Sequence, residues 1–293
     1  MKTKTWSLAL HGGAGAVAGR NYSETEAHLG PLARECEAML KNGSHALDVV
    51  EFAVAELESC GLYVAGRGSA PNTAGYVELD ASIMDGTSRE AGGVAGLCGF
   101  ANPVRVARGV MERTPHVLLV GRGAANFAAS HEFAAIDDPD TWFRLPVGVY
   151  ENEINDMKHG TVGAVALDQN GALAAATSTG GTFGKLEGRV GDTPLIGPGT
   201  WADDEVAISF TGIGEHIMRS GGAIAVACAV KSGTTLDNAI QGVLDEIARL
   251  GGDAGVIAVS RNGAISMAYN SEGMKRAAVA SNLPLQVATF ETN

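Results

Sequence analysis

Residues 161–177 read TVGAVALDQNGALAAAT, two runs of small apolar residues on either side of Asn170-Gly171. Asn-Gly between two apolar runs is the strongest short-range hairpin signal, because the turn needs positive φ at both central residues. The first run predicts a buried strand over residues 161–167, and the second a return strand over 172–177. One residue is out of place. Thr161 puts a hydroxyl where a core strand normally opens with valine, directly after Gly160. Glycine is also in excess across the chain, 40 of 293 residues. That is about twice the usual share and has no collagen-like period, so it points to tight turns and close backbone approach.

The flanking sequence predicts a single domain of layered α+β type. Residues 6–10 read as an opening strand that ends in the turn HGGAGA at 11–16. Ser23 and Glu26 have capping-box spacing ahead of a helix carrying Leu29, Leu32, Ala33, Cys36, Met39 and Leu40 on one face. Ser44 is placed to cap a second helix. Residues 60–75 are a loop, rich in turn formers. Strands are expected at 76–84 and 94–101, a helix at 104–111, and a short buried strand at 116–120. Residues 136–160 are polar, acidic and irregular, and read as a mobile linker. Beyond the hairpin come a strand at 206–210 and a helix at 215–229 entered from Thr211-Gly212-Ile213-Gly214. A helix at 236–250, a hairpin of 255–259 with 264–269 and a last strand at 284–290 complete the chain. Strands that pair locally beside clustered helices argue against alternating βαβ units.

Charge and motif content exclude several functions. The formal net charge is −12, a poor match to nucleic acid, whose binding rests on cation–phosphate contacts. Cys36, Cys60, Cys98 and Cys228 form no CxxC pair and read as free thiols of a reducing compartment. The apolar stretch at 6–10 is too short for a signal peptide, and no run approaches the ~18 apolar residues of a membrane span. The expectation is a cytoplasmic protein with no membrane partner. HGGAGA resembles a lipase oxyanion loop, but there is no G-x-S-x-G elbow. The seven histidines form no HxxxH or HxH pair, and Lys185 lacks phosphate-loop spacing.

Thr161 remains. A threonine hydroxyl needs a base within reach, and a threonine that begins a chain carries one in its own α-amine. That amine titrates at about 7.7–8.0, close to working pH. That role would require cleavage of the Gly160–Thr161 bond, which the polar segment before it would permit; by residue type alone Thr161 reads more simply as an edge threonine of a strand.

A series of motifs spans nearly the whole chain in order: HGGAGA, AGRGS (65–69), ELDASIMDG (78–86), ANPVRVAR (101–108), HGTVGAVALD (159–168), TSTGG (177–181), GRVGD (188–192) and TGIGE (211–215). Together they resemble the plant-type L-asparaginase / isoaspartyl aminopeptidase family of N-terminal nucleophile hydrolases. The resemblance implies a four-layer αββα sandwich, cut by itself into an α subunit of 1–160 and a β subunit of 161–293, and assembled as a dimer of αβ units. It implies Thr161 as nucleophile, Thr179 as the residue that orients its hydroxyl, and Thr211 and Gly212 as oxyanion donors. Arg189 would take the substrate α-carboxylate, which suits its planar fork, and Asp192 the α-ammonium. It further implies no organic cofactor and a sodium ion on the backbone carbonyls of Leu57, Glu58, Cys60, Tyr63, Ala65 and Arg67. The chain departs from the pattern at Val64, where the family has asparagine, and Asn72 is a candidate replacement for that amide. The implied reaction is hydrolysis of β-aspartyl dipeptides and of L-asparagine, releasing L-aspartate. A glycosylasparaginase-like amidase and an unprocessed relative that only binds amino acids stand as alternatives.

Overall fold

The computed structural model describes residues 5–150 and 160–291. Its first half runs β1 (Ser7–Ala14), α1 (Ser23–Lys41), α2 (Ala46–Ser59), β2 (Leu79–Asp85), β3 (Ala91–Leu97), α3 (Pro103–Arg113), β4 (Leu118–Val120), α4 (Gly121–Ser130) and α5 (Pro139–Trp142). The second half runs β5 (Val162–Leu167), β6 (Leu173–Thr179), β7 (Thr200–Ala202), β8 (Val206–Gly212), α6 (Gly214–Ser220), α7 (Gly222–Lys231), α8 (Leu236–Arg249), β9 (Ala254–Ser260), β10 (Ile265–Tyr269), β11 (Met274–Ala280) and β12 (Leu283–Ala288).

The Asn-Gly hairpin forms the middle of the molecule. β5 and β6 pair from Val162↔Ser178 to Leu167↔Leu173, at the centre of an eight-stranded sheet ordered β12-β11-β1-β5-β6-β2-β3-β4. A second sheet, β10-β9-β8-β7, faces it. Alternation along the hairpin explains the layering. Val162, Ala164 and Ala166 pack under α1–α3, whereas Val165 and Leu167 meet the second sheet through Ala207, Ile257 and Val259. α6, α7 and α8 cover the outer face of the second sheet through Ile217, Val226, Ile240, Leu244 and Ile247. The result is the αββα sandwich. Alanine dominates the inter-sheet layer, at 9, 91, 175, 202, 207 and 278, and small side chains there let the two sheets approach.

Several sequence expectations are corrected. Ser23 does not cap α1. Tyr22 holds the cap position without a side-chain bond, and Thr25 Oγ1 donates to the Tyr22 carbonyl instead. α2 is capped by His45, whose Nδ1 accepts from Leu47 N–H, not by Ser44. The helix expected at 215–229 breaks into α6 and α7 because Gly221 and Gly222 take φ of +81° and +46°. The strand at 118–120 is a half-exposed edge paired parallel to β3, not a buried one. β11, β7 and α4 were not anticipated. β11 carries Lys275 and Arg276 in a strand buried along its whole length, and those charges hide it from a hydropathy reading. Within the acidic stretch, residues 136–150 include α5, while 151–159 lie outside the described residues.

Candidate active site

The register of the large sheet places the site. Asp80 pairs with Thr179 across β2 and β6, and Thr161 sits beside them, one residue before β5. Side chains at 161, 179 and 80 therefore form one row on the face toward the second sheet, at the end of the strands. Thr161 and Thr179 are both buried. The turn expected at 11–16 is instead largely strand, since β1 runs on to Ala14, and Gly13, at φ +100°, lets this end of β1 lie against the Thr161 backbone. A Cβ there would stand 3.1 Å from the Thr161 carbonyl.

The two threonines are coupled. Thr161 Oγ1 donates to Thr179 Oγ1 at 3.4 Å. Thr179 Oγ1 in turn donates to the Gly160 carbonyl at 2.6 Å and accepts from Gly181 N–H at 2.9 Å. Thr179 thus touches both the hydroxyl and the carbonyl of the bond before it. A donor on that carbonyl is placed to stabilise negative charge if the hydroxyl attacks it.

Gly160, Thr161, Thr179, Gly181, Thr182, Arg189, Gly191, Asp192, Thr193 and Gly212 enclose a cavity of about 10 Å³, the space of one water. In the continuous chain there is no room for a substrate. Arg189 lends Nε and Nη2 to the two carboxylate oxygens of Glu215, each at 2.8 Å, and the pair holds Glu215 below the usual carboxylate range. Asp192 is buried, and its Oδ2 has no partner among the described residues. Burial pushes it up to about 7. Its own loop brings it in, because Gly214 leaves the space that a Cβ would take from Asp192 Oδ1.

The structure brings Thr161, Thr179, Arg189, Asp192 and Gly212 together. It sets Thr211 apart from the cavity lining. Thr211 and Gly212 end β8, α6 follows from Gly214, and Thr211 Oγ1 accepts from Ala14 N–H at 3.1 Å. Asn72 does not replace an amide at the nucleophile. Its Nδ2 donates to Glu78 and its Oδ1 accepts from Ala74 and Tyr76. The position in question is filled by Val64, which packs on Gly160 where a Cβ would sit and joins Ala70, Val149 and Phe183 in a small apolar cluster. Sequence reasoning missed the charged floor of the site. Lys185 is buried with Nζ on the Glu78 carbonyl, and burial drives Asp80 up to about 6. A lysine within a glycine-rich stretch was the available signal. It also gave Glu215 no role, although TGIGE was in view.

The backbone carbonyls of the 57–67 loop already accept hydrogen bonds within the fold. Leu57 and Glu58 close α2. The carbonyls of Tyr63 and Ala65 accept from Ala65 and Gly68 N–H. Those of Cys60 and Arg67 accept from Arg144, through Nη2 at 2.5 Å and its backbone N–H at 3.0 Å. Each of these oxygens keeps a second lone pair. The carbonyls of Glu58 and Tyr63 turn into the space where Gly66 and Gly68 lack a Cβ. An all-oxygen cradle of this kind suits a hard cation. Among the described residues no group of His, Cys, Asp and Glu side chains could hold a metal.

A threonine at the head of a central strand, in an αββα sandwich whose cavity pairs an arginine with a buried aspartate, defines an N-terminal nucleophile hydrolase scaffold. The profile of the asparaginase family matches residues 4–144 and 139–288. The "Isoaspartyl peptidase" of Salmonella typhimurium is 42% identical over 92% of this chain and 94% of its own length. That of Escherichia coli is 39% identical over 92% and 91%. The "Isoaspartyl peptidase/L-asparaginase" of Mus musculus is 39% identical over 93% and 87%. The chain belongs to this asparaginase family.

Proposed function

We propose that the protein is a self-cleaving threonine hydrolase that splits β-aspartyl (isoaspartyl) dipeptides and L-asparagine and releases L-aspartate. The observation that carries this reading is the buried Asp192 carboxylate, whose Oδ2 has no hydrogen-bond partner among the described residues, with Arg189 in the same closed cavity as Thr161. A cation and an anion at that spacing fit the two charges of an amino-acid head. The relatives' names supply the β-aspartyl linkage.

Thr161 Oγ1 attacks the Gly160 carbonyl, and the peptide C–N bond breaks as its nitrogen takes the hydroxyl proton. Water hydrolyses the resulting ester, which leaves the Gly160 carboxylate on one chain and the free Thr161 α-amine on the other, and vacates the room that Gly160 fills. Arg189 then takes the substrate α-carboxylate and Asp192 the α-ammonium. Thr161 Oγ1 attacks the side-chain carbonyl while its amine takes the proton. The C–N bond breaks as that proton passes to the leaving amine, and water hydrolyses the β-aspartyl ester. Gly212, on the cavity wall, serves the oxyanion, Thr179 orients the nucleophile, and Thr211 supports Gly212 from outside the lining. A sodium ion on the carbonyls of Leu57, Glu58, Cys60, Tyr63, Ala65 and Arg67 would stiffen the loop that presents Val64 to Gly160. We assign the working form to a dimer of αβ units in the cytoplasm. Among the described residues no helix is long and apolar enough to cross a membrane, and all four cysteines are free.

Denaturing gels and intact masses of wild type and Thr161→Ala test the reading. Wild type is expected as chains 1–160 and 161–293, and the variant as one chain with β-aspartyl dipeptidase activity lower by a factor on the order of 10⁶. A wild type that stays whole through long incubation overturns it.

A further inference from the structure

The bond-making side of the cavity leans on a stretch of chain with no regular structure of its own. Residues 60–65 follow α2 and belong to no helix or strand. From this loop Val64 packs on Gly160. The Val64 carbonyl also accepts from Gly180 N–H at 3.1 Å, one residue before the N–H that Gly181 gives to Thr179 Oγ1. The loop therefore touches both the carbonyl residue of the Gly160–Thr161 bond and the turn that holds the Thr179 hydroxyl. Residues 142–150 run antiparallel along it as a strap. Arg144 N–H donates to the Arg67 carbonyl at 3.0 Å, and Val147 N–H to the Leu62 carbonyl at 3.1 Å. Arg67 Nε returns a bond to the Trp142 carbonyl at 2.9 Å, and Val149 joins the apolar cluster of Val64.

The strap also delivers a charge. The last turn of α2 carries Glu56 and Glu58 and no basic residue. A helix C-terminus has partial negative charge and favours a cation, so α2 supplies the wrong sign from its own sequence. Arg144 supplies the right one. Its Nη2 donates to the carbonyl of Cys60, the C-cap of α2, at 2.5 Å, and its Nε to the Gly61 carbonyl at 3.2 Å. Gly61, at φ +71°, makes the room, since a Cβ there would overlap Arg144 Nε and press on its stem. A planar fork with fixed N–H directions suits two neighbouring carbonyls better than an ammonium does. The side chain is exposed, so a free ion of the same shape can reach its place from solvent.

We propose that Arg144 is a positioning residue for the self-cleavage site. It is the counter-cation of the α2 C-terminus, brought in by the strap, and it fixes the 60–65 loop so that Val64 stays on Gly160 and its carbonyl stays on Gly180. The reaction part of this rests on Thr161 being the nucleophile, but the hold of Arg144 on the loop does not.

The test uses the full-length protein in one sodium buffer throughout. Arg144→Ala is expected to slow self-cleavage by about tenfold, since two charge-assisted hydrogen bonds are lost. Guanidinium chloride at tens of millimolar is expected to restore most of the rate, and choline chloride at equal ionic strength none of it. Arg144→Lys keeps the charge without the fork and should fall between. Once cut, both variants are expected to lose kcat on β-aspartyl dipeptides with KM within about twofold, because Arg189 and Asp192 lie on another loop. A wild-type rate in Arg144→Ala, a slowed rate that guanidinium and choline affect alike, or a rise in KM alone overturns the proposal. Amide exchange at Gly180 reads the loop without any cleavage. It is expected to be faster in Thr161→Ala with Arg144→Lys than in Thr161→Ala. Equal exchange overturns the route through Val64, and this comparison decides if Arg144→Ala does not fold. A wild type that never cuts itself indicts the nucleophile assignment instead, and the Gly180 comparison still judges Arg144.

Discussion

The two halves of the cavity are built by different means. The nucleophile side is set by strand register and hydrogen bonds: Thr161, Thr179 and Gly160 are already linked in the uncut chain. The substrate-head side is set by charge, on the loop between β6 and β7, and its groups are either misdirected or unpaired. Arg189 is engaged by Glu215, and Asp192 Oδ2 has no hydrogen-bond partner among the described residues. Bond-making geometry can be complete before a ligand arrives, because strands supply it at no cost to access. Charge recognition cannot, because a pair that satisfied itself would leave nothing for the ligand. Glu215 occupies the guanidinium from a half-exposed position, from which a substrate carboxylate can displace it.

Substitutions on each side should separate these two modes. The largest effect is expected from Arg189→Leu, which removes the bidentate anchor. Loss of a charge-assisted pair of hydrogen bonds costs about 3 kcal/mol, or roughly a hundredfold in kcat/KM, carried by KM while self-cleavage continues. If self-cleavage stops as well, the two sides are not independent. Gly163→Ala attacks the other side. Its methyl group overlaps Ser209 and His11, and overpacking of this kind costs about 1–3 kcal/mol of stability. Thermal melting should show it as a drop of a few degrees, together with slower self-cleavage.

Asp192 sharpens the contrast through pH. It must be ionised to take an ammonium, and burial holds it at about 7, so below that pH it is protonated and binding is lost. The kcat/KM profile should fall on the acid side through about 7. Asp192→Asn should abolish that dependence on binding and leave only the limb from the Thr161 amine. Unchanged limbs in the variant would remove Asp192 from the substrate. The smallest effect is expected from Glu215→Gln. A half-exposed ion pair is worth about 0.5 kcal/mol, so releasing Arg189 should lower KM by about twofold without touching kcat.

The sequence made the nucleophile side legible and the other side only partly so. The Asn-Gly hairpin and its alternation gave β5 and β6 by local rules and marked Thr161 as out of place, but the nucleophile role came from the motif series. Arg189 and Asp192 came from a motif, and nothing local could reveal that Glu215 would close on one and leave the other bare. That depends on α6 and the 180–199 loop meeting through the tertiary fold. β11 escaped for a similar reason. Lys275 and Arg276 are buried by long-range pairing of β11 with β1, and a lysine over the Tyr22 ring, 5.1 Å from its centroid, has no short-range signature. The helix break at Gly221-Gly222 was written in the sequence and was overridden there by the apolar run around it.

The strand order β12-β11-β1-β5-β6-β2-β3-β4 has a consequence for the proposed self-cleavage, which would fall between β4 and β5. Strands of the two products interleave, and β1 of the first is flanked on both edges by β5 and β11 of the second. The cut chains stay threaded through one sheet, but folding is no longer a one-molecule event. Before the cut, recovery from denaturant should be independent of protein concentration. Afterwards it becomes a bimolecular search, second order in chain, and the melting midpoint should climb with dilution reversed. Under the proposed cleavage, the bond between Gly160 and Thr161 is a single-use tether, needed to build the sheet and spent in making it chemically competent.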